Sequence, residues 1–395
     1  MEPEQEQTSE LAAVLTKPMQ DLQITKNNSS KESGDTFEPD RCSALPDPDD
    51  SIWKLKSDDE DDASDGPQFD DNDERVVRLE LDRLLKMKKP IVRVPGGGGE
   101  PNPNQEIAVE AMKKHGYVFD RKLGAGAYAT VFLVNYTDAD GKSIKLAAKV
   151  IDRKKLPQHF IKKFFPRELA VTSSMNHPHI VKVHSVIQKM EFVFIFMECA
   201  PNGDLLKFIQ KNEYCSELQT LVWGSQMMSA LAYLANIQIC NRDIKPENFL
   251  ISRNFNTKMV DFGFARKYGP KEKAETYCGS PVYCAPEIMQ AIPYYPLLID
   301  IWSMGVTFYV MVTGRLPFDY TTTESFIKHQ MARAYVWEGG AAPMLSAEFK
   351  NLVSRMLEPD IKKRITLKEI NSHPFFSKEM YKKLGGNPNV KGGKV

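Results

Sequence analysis

The ten residues NRDIKPENFL, Asn241–Leu250, place a carboxylate, an ammonium and a carboxamide within six positions: Asp243, Lys245 and Asn248. A second carboxylate, Asp261, follows in the run DFGFAR, eighteen residues after Asp243. Asp243 can accept or orient the proton of an attacking hydroxyl, and Lys245 can neutralise charge on a group in transfer. Asn248 and Asp261 offer hard oxygens of the kind Mg2+ prefers while it keeps part of its water. Phosphoryl transfer is chiefly a matter of positioning and charge neutralisation, so these four side chains suffice for it. An Asp–Lys–Asn cluster alone is common. Followed in order by Asp-Phe-Gly and by Ala-Pro-Glu at 285–287, it is hard to obtain by chance.

Such chemistry needs a place for phosphates, and the residues before 200 can build one. The run LGAGAYATV sets Gly124 and Gly126 at the tip between two strands, where backbone N–H groups can approach phosphates unhindered. Lys149, in the alternating run LAAK, is either an edge charge or a functional cation, and Glu168 is its candidate partner. GKS at 141–143 resembles the end of a Walker loop, but Tyr136 occupies the position of the first glycine, which rejects it.

The elements that must position these residues change character along the chain. YVFDRKLG, YATVFLVNY and SIKLAAKVID read as strands, as do IVKVHSVIQ and FVFIFMEC. Pro166 opens an expected helix, PRELAVTSSM, because proline suits the first helical position. After Pro201 the patterns become helical, in ELQTLVWGSQMMSALAYLANI and LLIDIWSMGVTFYVMV. The expected class is α+β: a small β-rich lobe with one main helix, then a larger helical lobe, with order beginning near His115.

Residues 1–105 are poor in aromatics and rich in Ser, Asp, Glu, Asn and Pro, so they are expected to be mostly disordered. KSDDEDDASDG and DDNDE form an acidic block, read as a solvated spacer or as an interaction tail with Ser57 as a phosphorylation target. RVVRLELDRLLKMKK (75–89) has helix-like apolar spacing suited to docking, and PGGGGEPNPN reads as a linker. Residues 377–395 are expected to form a flexible tail. The 52 basic and 52 acidic residues balance, which argues against general nucleic-acid binding. Six cysteines, at 42, 199, 215, 240, 278 and 284, form no C-x-x-C pair, so a zinc site or redox dithiol is unsupported and free thiols are expected. MEPEQEQ lacks a secretory core, and the longest apolar run contains Asp300 and reads as a buried helix. Neither membrane nor nucleic acid is expected as a partner, and the expected location is the cytoplasm, with the nucleus as an alternative.

From about Tyr117 to Phe376 these motifs, in this order, resemble a complete eukaryotic protein kinase domain. Asp300, Trp302 and Gly305 match the core helix of the large lobe, and Arg364 in KKRIT matches the partner of Glu287. KFFPREL, NGDLLKFI, ETYCGSPVYCAPEI and DIWSMGVTFYVMV are most similar to the testis-specific serine/threonine kinases, of the calcium/calmodulin-dependent-type branch. The resemblance implies a bilobal fold, with an N-lobe over 116–200 and a C-lobe over 201–376, and ATP with Mg2+ as cofactors. Asp243, Lys245 and Asn248 would be catalytic, and Asn248 and Asp261 would hold the metal. Leu123, Gly124, Ala125, Gly126, Ala127, Tyr128, Ala129, Val131, Ala147, Lys149, Glu168, Leu250 and Asp261 would surround the nucleotide. Met197 would be the gatekeeper, Glu198 and Ala200 would bond adenine through the backbone, and Asp204 would meet ribose or peptide.

Lys245 and Ser280 imply Ser/Thr specificity, with Ser280 bonded to Asp243 and Lys245. Thr276, on a polar loop, matches an activating phosphorylation site that Arg242 and Arg266 would grip. Glu247 and Asp204 could face an Arg of the substrate, but Val310 stands where strongly Arg-directed kinases carry a second Glu, so only a mild basic preference is expected. Protein substrates, an upstream kinase, a chaperone and germ-cell expression follow from the resemblance alone. Three positions depart from the pattern: Ala129 replaces the third loop glycine, Asn241 the usual His or Tyr, and Thr172 an apolar residue. Thr172 and Asn241 would sit in the hydrophobic column between the lobes, where polar groups cost free energy unless satisfied. An apolar residue at 172 and His at 241 are therefore expected to raise basal activity. The rival reading is a pseudokinase scaffold acting through the acidic tail and the 75–89 segment. Retention of Lys149, Asp243, Asn248 and Asp261 speaks against it, and TYCGSPVYCAPE speaks against a small-molecule kinase.

Overall fold

The structure, a computed structural model, describes residues 103–125, 129–138, 140–155, 175–269 and 271–386. The acidic block, Ser57, the 75–89 segment, Gly126–Tyr128, the Pro166 helix, Glu168 and Thr172 lie outside them.

Five antiparallel strands form the N-lobe sheet: β1 (Tyr117–Ala125), β2 (Ala129–Thr137), β3 (Ser143–Asp152), β4 (Val183–Lys189) and β5 (Phe192–Glu198), in the order β1-β2-β3-β5-β4. Strand alternation separates two faces. Leu146, Ala148, Val150, Phe192, Phe194 and Phe196 are buried together on the outer face. Ile151, Val193 and Ile195 pack on the inner face, with Ala129, Val183 and Met197 against them. The register sets Lys149 between Val131 and Ile195, and Ala147 opposite Met197.

Order begins before His115, which corrects the expected boundary of the lobe. Helix α1 (Pro103–Lys113) starts at the end of the expected linker and runs ahead of the expected start of order, and it buries Ala108 and Met112 completely in the outer-face cluster. Ala108 and Met112 are one helical turn apart and share a face. Its other contact residues there, Val109 and Ala111, are partly buried. The apolar stripe is narrow, so tertiary docking carries this helix more than its own propensity.

The C-lobe is built on α2 (Leu205–Asn212), α3 (Glu217–Asn236), α4 (Pro286–Met289), α5 (Pro296–Thr313), α6 (Thr323–Met331), α7 (Ala347–Met356), α8 (Leu367–Asn371) and α9 (Lys378–Lys383). Asp204, Ser216, Thr322, Ser346, Thr366 and Ser377 cap α2, α3, α6, α7, α8 and α9 by accepting backbone N–H bonds. Helix α5 is the apolar run containing Asp300, and it is nearly all buried, as read from the sequence. Gly305 lets α7 approach: a Cβ there would meet Met356 Cβ at 2.8 Å. Arg364 and Glu287 form a buried bidentate pair at 2.6 and 2.9 Å, and the guanidinium lies 5.0 Å from the Trp302 ring centre. Two short antiparallel pairs, β6 (Ile239–Cys240) with β9 (Arg266–Lys267) and β7 (Phe249–Ile251) with β8 (Thr257–Met259), hold the ends of the loops that carry Asp243 and Asp261. The tail expected to be flexible from 377 instead starts with α9, whose Met380 and Tyr381 are buried in the C-lobe core.

If α1 is a working part of the N-lobe core, Met112→Ala should cost about 2–5 kcal/mol of unfolding free energy in a urea titration. A loss below about 0.5 kcal/mol would show that α1 does not contribute to the fold.

Candidate active site

The carboxyl end of α3 leads through β6 into the loop 241–248, which is pinned from below. Asp300, fully buried in α5, accepts the backbone N–H groups of Asn241 and Arg242 at 2.8 Å each. Burial pushes its carboxyl up to about 7, against the opposing pull of those two donors. Arg242 adopts φ +66° between these bonds and Asp243. Its guanidinium is buried, donating to the Phe264 carbonyl at 2.8 Å and to Tyr294 Oη at 3.5 Å.

Asp243 then sits at the centre of a saturated network. Its Oδ1 accepts the N–H of Ser280 at 2.9 Å and the Ser280 hydroxyl at 2.8 Å. Its Oδ2 accepts Lys245 Nζ at 2.6 Å and the Asn248 amide at 3.1 Å. Lys245 Nζ also donates to Ser280 Oγ at 2.7 Å, so one ammonium spans both residues. Gly279 allows the approach: its φ is +94°, and a Cβ there would lie 2.4 Å from the Arg242 carbonyl.

Asn241 joins the two halves of the site. Its Oδ1 accepts the Asp243 N–H at 3.0 Å, an Asx-turn, and its amide donates to the Asp261 carbonyl at 3.3 Å. Asn241 is 1% exposed, yet both ends of its carboxamide are bonded. This removes the reason for expecting a penalty at 241. Both of these partners are backbone groups, and Thr172 lies outside the described residues.

Above the loop a cavity of about 580 Å³ opens between the lobes. Leu123, Gly124, Val131, Ala147 and Lys149 line it from the sheet, and Met197, Glu198 and Ala200 from the connection between lobes. Asp204, Asn248, Leu250 and Asp261 complete its floor. Ala125 and Ala129 lie at strand ends, and neither lines the cavity. The apolar walls also include Leu133, Val181, Val183, Val260 and Phe262, which the sequence reading missed; strand alternation was the available signal for Leu133 and Val183. Lys149 Nζ stands 3.7 Å from Asp261 Oδ1, and this neighbour is the main cause that holds the Asp261 carboxyl below the usual range. Asp261 has φ +64°, which turns the backbone at the Asp-Phe-Gly run.

Several expected residues are engaged in ways the sequence did not indicate. The Glu198 N–H is bonded to the Lys182 carbonyl, and its carboxylate pairs with Lys258 at 2.8 Å. Asp204 caps α2 and pairs with Lys207 at 2.7 Å. Arg266 is paired with Glu272. Thr276 is buried, and its carbonyl accepts the Tyr294 hydroxyl at 2.8 Å. Val310 is buried inside α5 and out of reach of a substrate. Glu247 is half-buried; its Oε2 has no hydrogen-bond partner among the described residues, and burial raises its carboxyl.

Asn241→Leu keeps the size of the side chain but strands a buried N–H and a buried carbonyl. It should lower stability by about 2–3 kcal/mol and turnover by at least about tenfold, through misplacement of Asp243 relative to Asp261. Turnover equal to the parent's, at matched folded fraction, would show that the carboxamide does not position the site.

The family model described as protein kinase domain matches residues 117–376. Testis-specific serine/threonine-protein kinase 1 of Mus musculus is 36% identical over 268 residues, covering 66% of this chain and 72% of that protein. Testis-specific serine/threonine-protein kinase 3 of Mus musculus is 34% identical over 275 residues, covering 67% and 98%. Serine/threonine-protein kinase SIK1 of Rattus norvegicus is 36% identical over 259 residues, covering 65% of this chain and 32% of that protein. The chain belongs to the protein kinase family, as a serine/threonine kinase similar to the testis-specific serine/threonine kinases.

Proposed function

We propose that the chain moves the γ-phosphate of ATP to Ser or Thr hydroxyls of proteins, with Asp243, Lys245 and Asn248 as its catalytic residues. The observation that carries this reading is the Lys245 ammonium spanning Asp243 and Ser280 beside the cavity. A substrate hydroxyl placed there gives its proton to Asp243 Oδ2 in place of the long bond that Asn248 makes to that oxygen, while Asn248 keeps its bond to the Asp243 carbonyl. Its oxygen bonds to the γ-phosphorus as the bond to the ADP oxygen breaks. Lys245 offsets the charge on the moving group, and Lys149 faces the nucleotide phosphates. Asn248 commits its nitrogen to Asp243, which leaves Oδ1 as a ligand, and Asp261 adds an ionised carboxylate. A carboxamide and a carboxylate fit Mg2+, which retains water and takes phosphate oxygens. When bound, Mg2+ would neutralise phosphate charge and orient the chain of phosphates. The scaffold reading is less supported, because Lys149, Asn248 and Asp261 line one cavity.

Glu247 points to the substrate class. Its unpartnered buried oxygen is chiefly desolvated, with Asp243 and Asp204 adding to the cost of its charge and Lys245 offsetting part of it. A basic side chain of the substrate would relieve this, whereas Val310 offers nothing further, so a mild basic preference follows. A peptide array with acidic or proline-directed selection would contradict it. The testis-specific relatives support germ-cell expression, and a cytoplasmic or nuclear location, an upstream kinase and a chaperone belong to the same reading.

Phosphorylation of Thr276 is the proposed switch. Thr276 is buried, so its phosphorylation would require the segment to open, and Arg266 would exchange Glu272 for the phosphate. Arg242 already reaches the region through Tyr294. Thr276→Ala should lower turnover of a generic Ser/Thr peptide at least about tenfold, and Asp261→Ala should abolish it. Unchanged turnover in Thr276→Ala removes the switch, and unchanged turnover in Asp261→Ala removes the catalytic reading.

A further inference from the structure

The segment that carries Ser280 has little regular structure, so its buried carbonyls need donors of their own. It runs from Ser280 through one tight turn, Pro281–Tyr283, into α4. Two of its carbonyls are met locally. That of Ser280 accepts the Tyr283 N–H at 2.9 Å and the Cys284 thiol at 3.4 Å, and that of Pro281 accepts the Cys284 N–H at 3.1 Å. Two more are met by side chains of other helices. Ser303 of α5 donates to the Tyr283 carbonyl at 2.8 Å, and Gln330 of α6 donates through Nε2 to the Cys284 carbonyl at 2.8 Å.

These two donors are held differently. Ser303 belongs to the buried core helix. Helix α6 lies at the surface, with Lys328, Met331 and Ala332 exposed, and it buries Phe326 and Gln330. Glutamine is mostly an exposed residue, yet Gln330 is fully buried. Its Nε2 has a partner, and its Oε1 has none among the described residues. Turning the amide over would set Oε1 against the Cys284 carbonyl oxygen, two acceptors face to face, so the nitrogen takes that side. Methionine or leucine would fill the space without a half-satisfied amide. What the glutamine adds is one donor, aimed at the end of the turn opposite Ser280.

That turn borders the place of the transfer. Ser280 at its near end is bonded to Asp243 and Lys245. Pro281 and Val282 are half-buried, and Tyr283 stands near Glu247 and Asp243, whose charges add to burial in raising its hydroxyl. We propose that Gln330 is a positioning residue for the protein substrate: through the Cys284 carbonyl it fixes the far end of the 280–284 turn against which the substrate backbone lies. This rests on the phosphoryl-transfer reading. Gln330 does not line the cavity, so its effect falls on the protein substrate and spares the nucleotide.

Gln330→Met keeps the length of the side chain and removes the donor. In the full chain without ligands, the Tyr283 and Cys284 amides should exchange at least about tenfold faster, because the stranded carbonyl loosens the turn. The Asn241 and Arg242 amides should keep their rates. With a generic Ser/Thr peptide, kcat/KM for peptide should fall about tenfold, while KM for ATP and hydrolysis of ATP by water stay within about twofold. Gln330→Asn, a donor too short to reach the carbonyl, should give the same pattern and serves if Gln330→Met is unstable. Equal losses for peptide and ATP would make Gln330 a merely structural residue and overturn the proposal. Unchanged peptide kcat/KM would overturn it too, whatever the amides do. A parent chain that phosphorylates no peptide would reject the transfer reading itself. Peptide binding then decides the role of Gln330: weaker binding in Gln330→Met upholds it, and equal binding overturns it.

Discussion

A single buried carboxylate organises the candidate active site. Asp300 has no solvent contact, so its charge is costly there unless donors surround it. The donors are the backbone N–H groups of Asn241 and Arg242, the first two residues of the loop 241–248. Removing those bonds would leave a carboxylate stranded in the core and release the loop at the same time. The cost of burying Asp300 is thus converted into a fixed starting point for Asp243, Lys245 and Asn248. Helix α5 can hold that point because almost every residue of it is buried and Gly305 lets α7 close against it.

From this anchor the site is assembled by short relays. Asn241 carries the position of the loop to Asp261, and Ser280 and Lys245 carry it to the segment before Ala-Pro-Glu. That segment is fastened in turn by Glu287 to Arg364, a pair with no access to water on the arginine side. Breaking a pair of this kind leaves an uncompensated charge in the core, which is why it holds more firmly than a surface bridge. The N-lobe contributes differently. It supplies a wall of alternating strand residues and the cation Lys149, whose neighbour Asp261 belongs to the other lobe.

Much of this was legible in the sequence, because period-two alternation and helix caps act over a few residues. The strands β1 to β5 and the helices α3 and α5 fall close to where local pattern puts them. The contacts of Ser280 with Asp243 and Lys245 follow from motif order. What escaped depends on distant partners. Helix α1 has a thin apolar stripe and follows a glycine-rich run, so only the outer face of the sheet explains its burial. Met380 and Tyr381 likewise need the C-lobe core to order α9. Asn241 seemed a polar defect because its partners are backbone groups that no motif displays. The burial of Thr276 and the capture of Arg266 by Glu272 are also products of segment packing, and residue type does not foretell them.

If Asp300 is the anchor, the backbone it holds should open only when the C-lobe core opens. Residue-resolved hydrogen exchange on the full chain reads this directly. The Asn241 and Arg242 amides should exchange only through global unfolding, with the same free energy and denaturant dependence as core amides of α5. Exchange of these two amides by a low-energy local opening, as fast as exposed loop amides, would contradict the account and place the anchor elsewhere.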